Sequence, residues 1–252
     1  MTKPYIPMFF DDLGHSWQVE GDECAGEIEV VEEICHPGTQ RILVSVMATI
    51  ADVVAGAVAN VQMAPRIPLT VDLTLHPLAP GIETERMRMV GRSVKRGRST
   101  TVNEVTFFAA DGSPVAVSHA TFMPSPRPED VMDEVRWSRP SRPGTLLRPI
   151  VDAIGVRSVA PGVAELDLHQ YVMQPSGTIQ GGALALLAER AAQTAVDAPV
   201  TDLEIRYLSA VRIGPGRATA TSLGDGWVRV EVCDAGNADR LATLVMARAG
   251  RP

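Results

Sequence analysis

Two long apolar stretches dominate the pattern of hydrophobic and polar positions along the chain. Residues 44–61 and 182–198 are apolar at almost every position, and each stretch has one acidic side chain near its middle, Asp52 in the first and Glu189 in the second. A helix that is apolar on nearly all sides must be covered on most of them. The pattern therefore predicts two buried helices, which align with each other when Asp52 is set on Glu189.

Shorter runs around each helix alternate between apolar and polar residues, as half-buried strands do. One run precedes each helix, at residues 27–31 and 165–168. Four runs follow each helix: 70–76, 83–94, 100–109 and 115–123 in the first half, and 203–207, 217–223, 228–233 and 240–248 in the second. The order of elements is strand, helix and four strands, and it occurs twice.

A shared motif marks the start of each copy. Residues 9–14 resemble residues 150–155: both have two apolar residues, an Asp, one further residue, an apolar residue and a Gly that can end a short helix. We predict an α+β fold of two tandem β-α-β-β-β-β units, each with an antiparallel sheet wrapped around a central helix. The units span 1–123 and 150–252, and residues 124–149, which contain six prolines, are expected to form a linker.

The bulk composition narrows the class of protein. With 45% hydrophobic and 21% charged residues the chain is typical of globular proteins, and its net charge of -7 argues against a general nucleic-acid binder. Its three cysteines form no CxxC pair, and its N-terminus lacks the apolar core of a secretory signal, so we expect a cytoplasmic protein. Residues 42–61 are long enough to span a membrane, but Asp52 at their centre favours a buried helix and no membrane partner.

The most informative chemical signal is the junction before the second helix. The chain has no GxSxG, HExxH or P-loop pattern, and its five histidines are scattered, so no metal site is expected. Gly181 and Gly182 open the helix, where uncovered backbone N–H groups at the positive end of the dipole can stabilise an oxyanion. Alternatively, the two glycines serve only to let the helix pack tightly on the sheet.

The spacing of Gln174, Gly181 and Glu189 resembles the hotdog-fold acyl-CoA thioesterases of the phenylacetate-degradation type. The motif of that family is Asn or Gln, then His-Gly-Gly, then an acid within the helix, and residues 204–214 look like the strand that follows. The resemblance implies a double hotdog that hydrolyses acyl-CoA. Gln180 stands where the family usually has His, and this substitution disfavours a hotdog hydratase or dehydratase.

The resemblance also implies a composite site between the two halves. Gln174 and the N–H of Gly181 would come from the second copy, and Asp52 and Thr70 from the first. Asp52 would act as general base or as nucleophile, with Gln174 and Thr70 holding the water or the carboxylate. The reciprocal site would use Glu189, and there Val44 and Ser45 replace the two glycines and Asp202 replaces Thr70, so we expect it to be weakened or inactive.

The family resemblance further implies how the substrate is held. Gln180 and Gly182 are expected to contact it, and no cofactor is expected beyond the coenzyme A that the substrate itself carries. A dense basic cluster, Arg92, Lys95, Arg96 and Arg98, could meet the phosphates of coenzyme A, although such a run is also typical of a solvated hairpin. Further assembly into a homo-oligomer is expected, and a non-catalytic acyl-CoA binding protein remains the alternative function.

Overall fold

The computed structural model describes residues 8–78, 84–141 and 143–250. Three α-helices are present in these ranges: α1 (Val44–Met63), α2 (Ile150–Ala153) and α3 (Gly181–Val196). Short 3-10 helices cover Phe9–Leu13, Glu32–Ile34 and Gln170–Val172. The strands are β1 (His15–Glu20), β2 (Glu23–Glu29), β3 (Pro68–Pro77), β4 (Arg86–Arg96), β5 (Thr101–Phe108), β6 (Pro114–Pro124), β7 (Ser138–Arg139), β8 (Arg157–Ala160), β9 (Val163–Leu166), β10 (Met173–Gln174), β11 (Thr178–Ile179), β12 (Val200–Tyr207), β13 (Gly216–Gly224), β14 (Trp227–Asp234) and β15 (Arg240–Ala249).

One antiparallel sheet runs through both halves of the chain. Its strand order is β7-β1-β2-β4-β5-β6-β3-β12-β15-β14-β13-β9-β8, so the halves join where β3 pairs with β12. Strands β3 to β6 supply buried side chains to α1, and β12 to β15 supply them to α3. The two predicted units, each a sheet wrapped around a long apolar helix, are confirmed.

Each unit begins with a hairpin rather than with the single strand predicted before the helix. Strand β1 pairs with β2, and β8 pairs with β9. The sequence pattern missed β1 and β8 because β8 is exposed along its length and β1 alternates a buried His with only two apolar residues. In the predicted strand 83–94, Glu83 lies outside the described residues, and β4 itself runs from Arg86 to Arg96.

The repeated motif at the start of each copy forms a short helix, as predicted. Gly14 ends the 3-10 helix Phe9–Leu13 with a φ of 69°, and Gly155 follows α2 with a φ of 79°. Both angles lie in the left-handed region that glycine adopts without steric cost. The Pro-rich segment between the units also contacts the first unit, because β7 pairs with β1 and Arg139 forms an ion pair with Asp11.

Helix α1 is long and apolar enough to cross a membrane, with a mean hydropathy of 1.8 over its most apolar window. The structure buries 72% of that window against the sheet and against α3, as it would for the core helix of a globular protein. Length and composition are therefore weak evidence for a membrane span here. The helix instead brings Asp52 into the seam between the two units.

Candidate active site between the two units

The amino end of α3 is capped by the side chain that precedes it. Gln180 is the N-cap residue, and its Oε1 accepts hydrogen bonds from the N–H groups of Gly182, at 2.8 Å, and Ala183, at 3.3 Å. The N–H of Gly181 has no acceptor in the described part of the chain, and the residue is only half-buried. One backbone donor at the positive end of the helix is thus open to a ligand.

Gly182 lets the two long helices approach each other closely. A Cβ atom at this position would lie 2.5 Å from Cγ2 of Thr49 on α1, a distance that real Cβ atoms do not reach. Asp52 lies three positions after Thr49 and therefore on the same face of α1. The packing of the helices at Gly182 thus brings Asp52 of the first unit close to the start of α3 in the second.

Thr70 holds the Asp52 carboxylate in place. Its Oγ1 donates a hydrogen bond of 2.7 Å to Oδ1 of Asp52. Thr70 reaches the inner face only because of a β-bulge between Thr70 and Asp72, which pairs Thr70 with the buried Phe122. Burial raises the pKa of Asp52 from 3.8 to about 6, and the hydrogen bond from Thr70 offsets part of this rise.

Tyr207, at the end of β12, packs on the glycine that opens α3. A Cβ atom added to Gly181 would lie 3.1 Å from Cε1, Cζ and Oη of Tyr207, so the phenol ring packs directly on this glycine. Burial, and then the nearby negative charge of Asp52, raises the pKa of Tyr207 well above its usual value. The sequence alone indicates no role for Tyr207, and its only signal there is its place as the last residue of the predicted strand 203–207.

Gln174 lies in the hairpin that leads into α3. Its Nε2 donates a hydrogen bond of 2.6 Å to Oγ1 of Thr178, and the residue is half-buried. Strands β10 and β11 pair Gln174 directly with Thr178. Of the residues predicted for the composite site, the structure therefore brings Asp52 and Thr70 into contact, packs Gly181 against Tyr207, and gives Gln174 a local partner instead.

The reciprocal site has a different arrangement. Glu189 is 1% exposed, and its Oε2 accepts a hydrogen bond of 2.7 Å from the N–H of Ser45 in the first turn of α1. Gln193 donates to its other oxygen at 3.2 Å, and His36 lies 3.8 Å from that oxygen. Burial raises the pKa of Glu189 to about 7, although the hydrogen bonds from Ser45 and Gln193 act against the rise.

The extra methylene of Glu189 explains the difference from Asp52. The N-cap residue of α1 is Leu43, whose side chain cannot cap, and the longer acid from α3 reaches the helix start instead. At the other site Gln180 caps α3, and the shorter Asp52 stays bound to Thr70. At the Glu189 site a carboxylate therefore lies at the helix start, where it accepts the N–H of Ser45 and where the backbone of Val44, the counterpart of Gly181, acts to lower its pKa.

Strands β3 and β12 also place different side chains at corresponding positions of the two sites. A bulge between Val200 and Asp202 in β12 corresponds to the bulge in β3, so Val200 aligns with Thr70. The alignment of the two copies from sequence, which sets Asp202 on Thr70, is therefore wrong by two residues. The same register aligns Pro77, the last residue of β3, with Tyr207, so the Glu189 site lacks both hydroxyl groups.

All four side chains of the predicted basic cluster are exposed, and two of them have hydrogen-bond partners. Arg92 is bound to Glu104 through two nitrogens, at 3.0 and 2.7 Å. Arg96 donates to the backbone oxygen of Gln62 near the end of α1, at 2.9 Å, and Lys95 and Arg98 are exposed. A cavity of about 230 Å³ at the end of α1 is lined by Arg66, Arg96 and Arg98, with Gln62, Met63, Gly97, Ser99, Thr100, Thr101 and Pro124.

The described residues contain no group of three or more metal-ligating side chains.

A model of the thioesterase superfamily matches residues 44–116, which include α1, β3, β4 and β5 and therefore Asp52 and Thr70. A search among curated proteins finds no match.

Solved structures resemble the chain along nearly its whole length. An acyl-ACP thioesterase from Bacteroides thetaiotaomicron is similar with a TM-score of 0.61 and 11% identity, covering 91% of this chain and 98% of that one. A 12:0-ACP thioesterase from Umbellularia californica gives a TM-score of 0.64 with 8% identity, covering 93% and 99%. A hot dog fold protein from Alicyclobacillus acidocaldarius gives 0.57 with 15% identity, covering 98% and 100%. At these identities the likeness is one of fold, and it confirms the double hotdog. The chain therefore has the double-hotdog fold, and its residues 44–116 match the model of the thioesterase superfamily.

Proposed function

We propose that the chain hydrolyses acyl-CoA thioesters to a free acid and coenzyme A at one composite site, built from Asp52 and Thr70 of the first unit and Gly181 of the second. The observation that carries this proposal is the pairing of a carboxylate with an unused helix N–H. Asp52 is held by Thr70 with a pKa of about 6, and the N–H of Gly181 has no acceptor among the described residues.

The reaction follows from these two groups. The thioester carbonyl oxygen accepts a hydrogen bond from Gly181 N–H, which stabilises negative charge on that oxygen. Ionised Asp52 takes a proton from a water molecule as the water oxygen bonds to the carbonyl carbon. The tetrahedral intermediate then collapses, the C–S bond breaks, and the proton held by Asp52 passes to the departing thiolate. One water is consumed, and the acid and the thiol are released.

A second route uses the same residues. Asp52 attacks the carbonyl carbon directly, the thiolate leaves with a proton from water, and the mixed anhydride is hydrolysed by a second step. A single turnover in ¹⁸O-labelled water separates the two routes, because only the anhydride route can place the label in the Asp52 carboxylate.

Coenzyme A as the carrier is supported by the cavity at the end of α1. Arg66, Arg96 and Arg98 line it, and no acidic side chain is among its lining residues. Gln62 at this cavity lies ten residues along α1 from Asp52, which is about 15 Å at the rise of an α-helix. Guanidinium groups bind phosphate in a bidentate manner, so this cavity suits the phosphates of a carrier whose thioester is at Asp52.

The hydrolytic site is tested with a panel of short, medium and aromatic acyl-CoAs, with release of free CoA as the readout. Asp52→Asn is expected to lower kcat at least about 10²-fold, because the amide cannot accept the proton. Glu189→Gln, the matched change at the reciprocal site, is expected to keep most of the activity. Equal loss in both variants, or loss only in Glu189→Gln, overturns the assignment. Binding without any release of CoA would support the non-catalytic binding protein instead.

The carrier is tested by comparing an acyl-CoA with the same acyl-pantetheine, which has no phosphates. The double variant Arg96→Gln/Arg98→Gln is expected to raise KM for acyl-CoA about tenfold or more and to leave KM for acyl-pantetheine unchanged. Arg157→Gln, an exposed arginine of the second unit that pairs with Asp167, is the control. Equal effects on both substrates would refute the phosphate contact, and a preference for acyl carrier protein over acyl-CoA would refute the choice of carrier.

A further inference from the structure

Tyr207 is a polar group at the composite site that the proposed mechanism leaves unused. It belongs to β12 of the second unit, and its cross-strand partner in β15 is Thr243. The Tyr207 hydroxyl has no hydrogen-bond partner among the described residues, and the side chain is half-buried. Thr243 Oγ1 is likewise buried without a partner. The Tyr207 hydroxyl is therefore a hydrogen-bond donor that a ligand can use.

The hydroxyl lies beside the open backbone donor. The Tyr207 hydroxyl oxygen lies 3.1 Å from where a Cβ atom on Gly181 would be. That Cβ atom and the free N–H group would be attached to the same Cα atom. An oxygen atom that accepts a hydrogen bond of about 2.9 Å from Gly181 N is therefore within reach of a second donor on the ring. The negative charge of Asp52 contributes to the raised pKa of Tyr207, so the phenol keeps its proton at this site.

We propose that Tyr207 is a catalytic residue, whose phenol O–H donates a second hydrogen bond to the thioester carbonyl oxygen held by Gly181 N–H. The two donors form an oxyanion hole in which one comes from the helix start and one from the strand. The phenol keeps its proton throughout the reaction, so the proton balance of the hydrolysis is unchanged. The inference rests on the proposed function, since it needs a carbonyl oxygen at Gly181.

The difference between the Asp52 site and the Glu189 site supports a catalytic role for Tyr207. At the Glu189 site the strand register puts Pro77 at the position of Tyr207, and a proline has neither a hydroxyl nor a ring that could donate. The Glu189 carboxylate also lies at the start of α1, where it accepts the N–H of Ser45 and where the backbone of Val44, the counterpart of Gly181, acts to lower its pKa. The phenol is thus absent from the site where a carboxylate lies at the helix start.

Tyr207→Phe keeps the ring on Gly181 and removes only the hydroxyl. We expect kcat to fall about 10²-fold, the effect of losing one oxyanion donor, with KM changed less than about threefold. Gly181→Ala keeps the N–H but adds a methyl group 3.1 Å from the phenol, so it should displace the hydroxyl. The two changes are expected to be non-additive when combined, because both act through the same contact.

A binding measurement separates this role from simple packing. A non-hydrolysable ketone analogue, in which CH2 replaces the thioester sulfur, keeps the carbonyl oxygen, whereas an S-alkyl-CoA thioether lacks it. Tyr207→Phe is expected to weaken binding of the ketone about tenfold and to leave binding of the thioether unchanged. Equal weakening of both analogues, or a kcat within twofold of the unchanged protein, overturns the inference. If Asp52→Asn is inactive while Tyr207→Phe is fully active, only the role of Tyr207 is lost; if Asp52→Asn is also active, the proposed site fails.

Discussion

The pH dependence of hydrolysis should follow Asp52 and respond to its neighbour Thr70. Hydrolysis needs the ionised carboxylate, and burial raises the pKa of this group from 3.8 to about 6. The acidic limb of kcat/KM, which reports the free enzyme, should therefore have its midpoint near pH 6. Thr70→Val removes the hydrogen bond that favours the ionised form while keeping a side chain of similar shape.

The size of the expected shift follows from that hydrogen bond. A hydrogen bond to a charged group contributes about 1.5 to 3 kcal/mol, and about 1.4 kcal/mol corresponds to one pKa unit. Thr70→Val should therefore move the limb upward by about one to two units. At pH 6 the fraction of full activity should fall from about one half to about one tenth or less. Thr70→Ser, which retains the hydroxyl, should restore a midpoint near 6.

Glu189 provides the internal control, because burial raises its pKa to about 7 and it could give rise to a similar limb. Glu189→Gln should leave the midpoint near 6 if Asp52 governs the rate. The assay measures free CoA by chromatography from pH 4.5 to 9, because thiol reagents respond poorly in acid. A midpoint that does not move in Thr70→Val, or a limb that disappears in Glu189→Gln, would refute the reasoning.

Three further predictions concern stability. Gly182→Ala should lower the free energy of unfolding by about 1 to 3 kcal/mol because its methyl group overlaps Thr49, and Thr49→Ala should restore much of the loss in chemical denaturation. Gln180→Ala should cost about 1 kcal/mol through the lost cap of α3, and an unchanged denaturation midpoint would contradict the capping role. The folded protein holds the Glu189 proton more tightly than the unfolded chain does, so this group contributes stability that declines as pH rises from about 4.5 to about 7. The difference in unfolding free energy between the unchanged protein and Glu189→Gln should therefore vary across that window and level off outside it.

Most of the architecture can be predicted from the sequence. Two helices apolar on nearly every side, each followed by four alternating runs, required two sheets wrapped around two helices, because such helices have to be covered. The prediction placed α1 and α3 to within two residues at nearly every end, and it singled out Asp52 and Glu189. The exposed strand β8 was missed because it has no apolar alternation to reveal it.

Only the tertiary structure shows that the two acids have different hydrogen-bond partners. Both sites have an acid in the middle of their helix, but side-chain length and the capping residue determine which acid reaches a helix start. Glu189 reaches the N–H of Ser45 because Leu43 cannot cap α1, whereas Asp52 binds Thr70.

The position of Tyr207 also depends on tertiary structure. A β-bulge shifts the side chains of β3 so that Thr70 faces Asp52, and alternation along the sequence does not reveal a bulge. Tyr207 continues the alternation of Leu203 and Ile205, but only the packing of α3 on the sheet sets its ring against Gly181. Local patterns determined what each segment forms, because burial is periodic along the chain. Which groups meet was decided by strand register and helix packing, since these depend on contacts between residues far apart in sequence.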